Sequence, residues 1–187
     1  LDALGIYALM PDYEDNSRKL TQNNSESVWE IQHDNLELGV GNSLNQWWCS
    51  KKISDGYGFC EVTQEYVNEF EPGDPRLKFT VAMTRDDYFG VTYFPSFSST
   101  GYSPRKYLQS AQEVTQKADG DINYTAIRYA EVLLWKAEAH AQLNQLPEAL
   151  AALEQVRARA RAQAANPETG KQDTPPCCIR GTLRPEF

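Results

Sequence analysis

One stretch constrains the fold of this chain more than any other: IRYAEVLLWKAEAHAQLNQLPEALAALEQVRARAR, residues 127–161. Ile127, Ala130, Leu134, Ala137 and Ala141 recur at three and four residues, the spacing of one face of a helix. Leu133, Leu143 and Leu146 widen that face, and Asn144 and Gln145 make a polar connection. Pro147 suits the first turn of a second helix, where its missing N–H costs nothing and its fixed φ is already helical. Leu150, Leu153 and Val156 form the second apolar stripe. The result is a helical hairpin at tetratricopeptide spacing. Leu133, Ala137, His140, Ala149 and Leu153 occupy the Trp, Gly, Tyr, Ala and Phe positions of that repeat, and the small residues at 137 and 149 let two helices approach closely. A lone repeat cannot bury its apolar face, and no second copy is visible, so the hairpin needs neighbours. An ordinary helical hairpin on the side of a larger core has the same spacing.

Composition narrows the function. A net charge of −8 excludes a general nucleic-acid binder, which carries a basic face. Arg157, Arg159 and Arg161 read as a solvated helix terminus, where positive charge complements exposed carbonyls. No apolar run reaches membrane-spanning length, and no signal peptide or lipid-attachment segment is visible at the first residues. Those residues, LDALGIYALM, read as the end of a helix entered midway, which implies sequence upstream. Of four cysteines, Cys49 and Cys60 flank a Gly/Tyr loop and could pair in an oxidising compartment, whereas Cys177 and Cys178 are adjacent and pair poorly. With no CxxC pair and only two His, a structural zinc site is disfavoured. No cofactor is implied.

Between the termini the chain reads as loops with short elements. Residues 11–24 are a polar, acidic loop, and SVWEIQ (27–32) alternates like a half-buried strand. Residues 33–58 read as a long loop around Trp47 and Trp48. Thr63 is a plausible N-cap for a short helix presenting Tyr66, Val67 and Phe70, followed by the turn EPGDPR (71–76). Residues 77–83 fit helix or strand, their alternation favouring strand or extended chain, residues 85–107 read as aromatic and irregular, and residues 118–121 as a turn. The Pro-rich stretch 164–187 reads as a loosely attached, disordered tail, which leaves residues 1–163 as the structured region.

Four segments, in order, carry a resemblance: GIYALMPDYEDN (5–16), NNSESVWEIQ (23–32), TQEYVNEFEPGDPR (63–76) and RYAEVLLWKAEAHAQL (128–143) running on to VRARA, with SPRKY (103–107) as a weaker fifth. Together they resemble the C-terminal part of the SusD/RagB family of Bacteroidetes outer-membrane nutrient-binding lipoproteins. The resemblance implies a mainly α fold, a tetratricopeptide-like helical scaffold with long irregular loops and a few short strands. It also implies a non-catalytic, surface-exposed, lipid-anchored binder of oligosaccharides, or in some members peptides, that caps a SusC-type TonB-dependent transporter. The tail TGKQDTPPCCIRGTLRPEF departs from the family's Arg- and Glu-rich continuation.

Sugar binding needs flat apolar faces with polar groups beside them. Trp47, Trp48, Asp55 and Tyr57 supply both in one loop. The plainer reading is that one Trp plugs the loop onto the core while the other packs on a partner. Tyr88, Phe89, Tyr93, Phe94, Phe97 and Tyr102 form a second aromatic stretch, which holds loops to a core or contacts ligand. Arg128 reads as paired inside the fold, and Trp135 as packed between helices. The carboxylate clusters Asp12/Glu14/Asp15 and Asp86/Asp87 lie on polar loops; nothing places two across a cleft as glycosidase chemistry needs. Neither a nucleophile elbow nor a P-loop occurs, and Cys49 or Cys60 with His33 is a remote nucleophile pair. A glycan-binding subunit and a tetratricopeptide-like protein-interaction scaffold are the two readings that remain.

Overall fold

The computed structural model describes residues 4–36, 38–53, 56–110, 113–114 and 118–164. The elements in chain order are β1 (Ser27–Ile31), α1 (Leu44–Trp48), α2 (Gln64–Asn68), α3 (Pro75–Thr80), β2 (Val81–Ala82), β3 (Asp87–Tyr88), β4 (Val91–Thr92), β5 (Ser103–Pro104), β6 (Tyr124–Arg128), α4 (Tyr129–Gln142) and α5 (Leu146–Ala164). The long helices are α4 and α5, and the strands pair only two at a time, all antiparallel: β1 with β6, β2 with β5, β3 with β4. The fold is therefore mainly α, a hairpin scaffold with long loops and short strands. The tail after residue 164 lies outside the described residues.

The hairpin forms for the reasons its sequence gives, with a different face inward. Ala130, Leu133 and Ala137 of α4 are buried, as are Ala149, Ala152, Val156 and Ala160 of α5. These mostly small side chains let α4 and α5 make the most extensive contact between any two elements. Leu9 and Tyr129 close the cluster around Ala130, Leu133 and Val156. Asn144, at φ 58, turns the chain in the left-handed region that Asn tolerates better than other non-Gly residues. Leu134, Trp135, Leu143, Leu146 and Leu150 point outward, with Trp135 half exposed. The expected packing of Trp135 between helices is thus not found, and the stripe through Leu134 is displaced by one residue, about 100° of helix. Ile127 does not join the helix either. It lies in β6 opposite Trp29, because residues 124–128 pair with β1 before α4 begins.

A buried carboxylate joins this frame to the N-terminal segment. Glu26 is fully buried and accepts from Arg128 Nη1 at 2.6 Å, Arg159 Nη1 at 3.0 Å, Met10 N at 2.8 Å and Asn16 Nδ2 at 3.2 Å. An unpaired carboxylate there would cost several kcal/mol, roughly what two cations and the N–H donors repay. Arg128 is paired internally as its sequence context suggested. Arg159 overturns expectation: it is 9 % exposed and holds Glu26 and the Met10 carbonyl, rather than standing in solvent at a helix end. The first residues are not a helix end beyond Leu4. Residues 5–10 run without regular structure, Ala8 N donating to Ser25 O at 2.9 Å. The loop after them contains two 3-10 turns, Tyr13–Ser17 and Lys19–Thr21.

A second core supports the loops. Cys49, Ile53, Ala82, Tyr88, Tyr93 and Leu108 are buried together, with Trp48, Phe89 and Phe97 packed against them. Most of the second aromatic stretch is therefore core. Tyr88 and Tyr93 are fully buried, their rings meeting edge-on at 5.4 Å, and Tyr93 meets Phe97 at 5.3 Å. Of the two alternatives for residues 77–83, helix holds for 77–80. Asp74 caps α3 by accepting from Arg76 N at 2.9 Å, Pro75 fills its first turn, and only Val81 and Ala82 pair as strand. Cys49 and Cys60 are free thiols, one buried and one exposed, so the pairing considered from sequence is not present.

Candidate functional site

The expected loop around residue 47 is a built structure with a helical turn in it. Asn42 anchors its start. The backbone of Asn42 exchanges hydrogen bonds with Gly120, its Nδ2 donates to Ile122 O at 2.8 Å, and its Oδ1 accepts from Leu44 N at 2.8 Å. One turn later Asn45 Oδ1 accepts from Gln109 N at 2.7 Å. The polar residues that read as loop composition are thus the buried pegs that fix α1. The chain then doubles back onto it. Tyr57 N donates to Gln46 O at 2.7 Å, Phe59 N to Trp47 O at 2.8 Å and Gly58 N to Cys49 O at 2.9 Å. Gly56 permits this approach, since a Cβ there would lie 2.1 Å from Cys49 O.

This folding back separates the two tryptophans. Trp47 is 46 % exposed, while Trp48 turns inward against the second core. Beside Trp47 the returning strand presents Tyr57, 43 % exposed, and Phe59, 56 % exposed, their rings 5.5 Å apart and tilted by 52°. Three flat faces therefore stand in solvent on one short, hydrogen-bonded unit. Charge lies at their edge: Lys51 Cγ and Glu61 Oε1 come within 3.4 and 3.8 Å of the point where Gly58 would carry a Cβ. Of the four residues expected from sequence, Trp47 and Tyr57 are both exposed on this unit, Trp48 packs inward, and Asp55 lies outside the described residues. Phe59 was missed. Gly58, at φ 65, breaks any extended alternation between 57 and 59, so the place of Phe59 beside Tyr57 follows from the return of the chain and not from spacing.

Hollows among the described residues include three near these loops. One of about 470 Å³ is lined by Trp48, Cys60, Glu61, Val62, Thr63, Tyr66, Thr80, Pro104 and Lys106. One of about 600 Å³ lies on the other side of Tyr66, with Tyr13, Asn68, Phe70, Asp74, Arg76 and Thr80 among its walls. Another, of about 640 Å³, is lined by charges of both signs, among them Glu14, Asp15, Arg18, Lys19, Asp86 and Arg105.

The titratable groups are engaged in holding structure. Asp12 accepts from Glu14 N and Gln163 Nε2, Asp86 from Met83 N and Asp87 from Gly90 N. Asp15 is pushed above the usual carboxylate range by burial and by Asp12. Burial pushes the Cys49 thiol up, the wrong direction for a nucleophile. His33 contacts Val40 O at 3.2 Å through Nδ1. Tyr13 is shifted opposite to Tyr88 and Tyr107, which burial raises. Burial alone would raise it, but Lys106 and Arg128 outweigh that and lower it, and Lys106, Arg159 and Arg128 stand 4.8, 5.3 and 5.7 Å from its ring centroid. Among the described residues no group of three or more His, Cys, Asp or Glu is placed to hold a metal ion, and no helix is long and apolar enough to cross a membrane.

The scaffold and its loops have known counterparts. The family model described as SusD family matches residues 25–175. The chain belongs to the SusD family. Among solved structures it is similar to a SusD superfamily protein from Bacteroides vulgatus (28% identity, TM-score 0.64, 83% of this chain and 36% of that one). It is also similar to a laminarin-binding SusD-like protein (27%, 0.69, 83% and 39%) and to surface glycan-binding protein A from Bacteroides uniformis (25%, 0.69, 83% and 34%). The chain thus spans little more than a third of the length of these proteins. A comparison with curated proteins returns no match.

Proposed function

We propose that this protein is a non-catalytic glycan-binding subunit at the bacterial cell surface. In this reading it is held at the outer membrane by a lipid anchor and passes oligosaccharide to a SusC-type TonB-dependent transporter. The observation that carries the binding role is the trio Trp47, Tyr57 and Phe59: flat rings held in water by backbone hydrogen bonds. Leaving three large aromatics half exposed forgoes roughly half of the about 1.5–3 kcal/mol that full burial of each would give, a cost that a ligand covering their faces recovers. Family membership and the laminarin-binding relative point to sugar as that ligand. Carboxylates committed to caps and turns fit a binder better than a hydrolase.

Affinity electrophoresis through gels containing laminarin and other polysaccharides tests the reading. Retardation by at least one glycan, abolished by Trp47→Ala, is expected. Absence of retardation by every glycan defeats it. A second reading, a helical protein-interaction scaffold, draws on the outward row Leu134, Trp135, Leu143, Leu146 and Leu150. It gains if glycans fail and Trp135→Ala abolishes capture of a helical partner. The transporter role is checked by co-purification of a TonB-dependent barrel from outer-membrane extracts.

A further inference from the structure

The exposed rings do not end the aromatic surface. Trp48 follows Trp47 and Cys60 follows Phe59, and both second residues line the 470 Å³ hollow, so the hollow begins where the ring platform stops. Its far wall is Tyr66, presented by α2, which Thr63 caps by accepting from Tyr66 N at 3.3 Å. Tyr66 is 47 % exposed and braced edge-on by Phe70 at 5.5 Å. Beyond it opens the 600 Å³ hollow, where Asn68 and the Asp74–Arg76 pair supply polar groups. Thr80 is a buried wall of both hollows, its hydroxyl facing the Tyr13 phenol. Both hollows fall within the roughly 300–1,000 Å³ usual for ligand sites. The mixture is that of a sugar site: a ring flanked by hydroxyl, amide and charged groups, with Lys106 and Glu61 at the near side.

We infer that Tyr66 is a second stacking ring and that the ligand is a saccharide chain of several units. The chain runs from the Trp47, Tyr57 and Phe59 platform past Trp48 onto Tyr66. This inference rests on the glycan-binding reading and adds ligand length to it: short sugars fill the platform, and only longer ones reach Tyr66.

Calorimetric titration with the disaccharide and hexasaccharide of laminarin-, cellulose- and starch-derived series tests it. In the series that binds, the hexasaccharide is expected to bind at least about tenfold tighter, the equivalent of about 1.4 kcal/mol. Tyr66→Ala should remove most of that advantage while leaving disaccharide affinity unchanged, and Tyr66→Phe should retain it. An advantage that survives Tyr66→Ala, or a loss shared equally by both lengths, overturns the second ring but leaves the platform standing. Equal wild-type affinity for both lengths does the same. Binding of no series overturns the platform and this inference together.

Discussion

Arg159, close to the end of the last helix, donates from Nη1 to Glu26 Oε2 at 3.0 Å, across 133 residues of sequence. The same carboxylate takes Arg128 on its other oxygen. One buried charge thus ties together the N-terminal segment, the start of α4 and the end of α5.

Removing that charge should be the most damaging single polar change in the molecule. Glu26→Ala leaves two arginines facing each other without an anion, and a loss of about 3–5 kcal/mol is expected. Arg161→Ala breaks only a partly exposed pair with Glu154 and should cost less than about 1 kcal/mol. Urea denaturation of both variants measures the contrast; equal midpoints would refute it.

The two tryptophans should part company. Trp47→Ala is expected to weaken glycan binding by about tenfold or more with little change in melting temperature. Trp48→Ala removes packing against the second core and should destabilise by about 2–3 kcal/mol, less than a fully buried Trp. Denaturation and affinity measured on the same samples separate the effects.

Gly56 offers a test of the platform that touches no ring. A Cβ at this position meets Cys49 O at 2.1 Å, and backbone cannot yield as a flexible side chain would. Gly56→Ala should therefore push residues 56–59 off α1 and abolish binding while Trp47, Tyr57 and Phe59 are all still present. Retained affinity would show that the folding back is dispensable.

Alkaline titration should resolve the tyrosines. Tyr13, lowered by Lys106 and Arg128, loses its proton below the ordinary phenol range in the folded chain. From its folded pKa up to the ordinary value of about 10, the unfolded chain still holds that proton, so Tyr13 adds stability as pH rises through this window. Tyr88, raised far above the ordinary value by burial and by Cys49, acts oppositely. Its contribution is complete below about pH 10 and is lost as pH climbs beyond, because the unfolded phenol ionises first. Phenolate absorbance in wild type, Tyr13→Phe and Tyr88→Phe follows both. In parallel, alkylation with peptide mapping should label exposed Cys60 in the native chain and Cys49 only after unfolding.

The sequence showed what repeats locally. The hairpin, the strand at 27–31 and the Thr63 cap depend on residues within a few positions of one another, and all three are present. Choices between nearby faces were harder to read. Leu133 and Leu134 both satisfy helical spacing, and only the neighbours of α4 decide which is buried. Contacts between distant residues were not legible at all. Nothing near Arg159 announces Glu26, and nothing near Ile127 announces that β1 will claim it as a strand. The candidate site was half visible for the same reason. Its ring residues stand out by type, but which tryptophan faces water depends on the chain returning from residue 56, and Phe59 enters only through that return.

The β1–β6 ribbon has one more consequence. It brings residues 31 and 124 opposite each other, so the whole excursion between them leaves and re-enters the frame at points about 5 Å apart. Everything proposed to touch sugar lies on that excursion, whereas the hairpin and the Glu26 hub lie outside it. The ribbon thus acts as the neck of a cassette. The excursion is nevertheless bound to the frame along its length, through Asn123 to Glu30, Lys19 to Asp121 and Lys106 over the Tyr13 ring, so ligand loops and scaffold are held as one body.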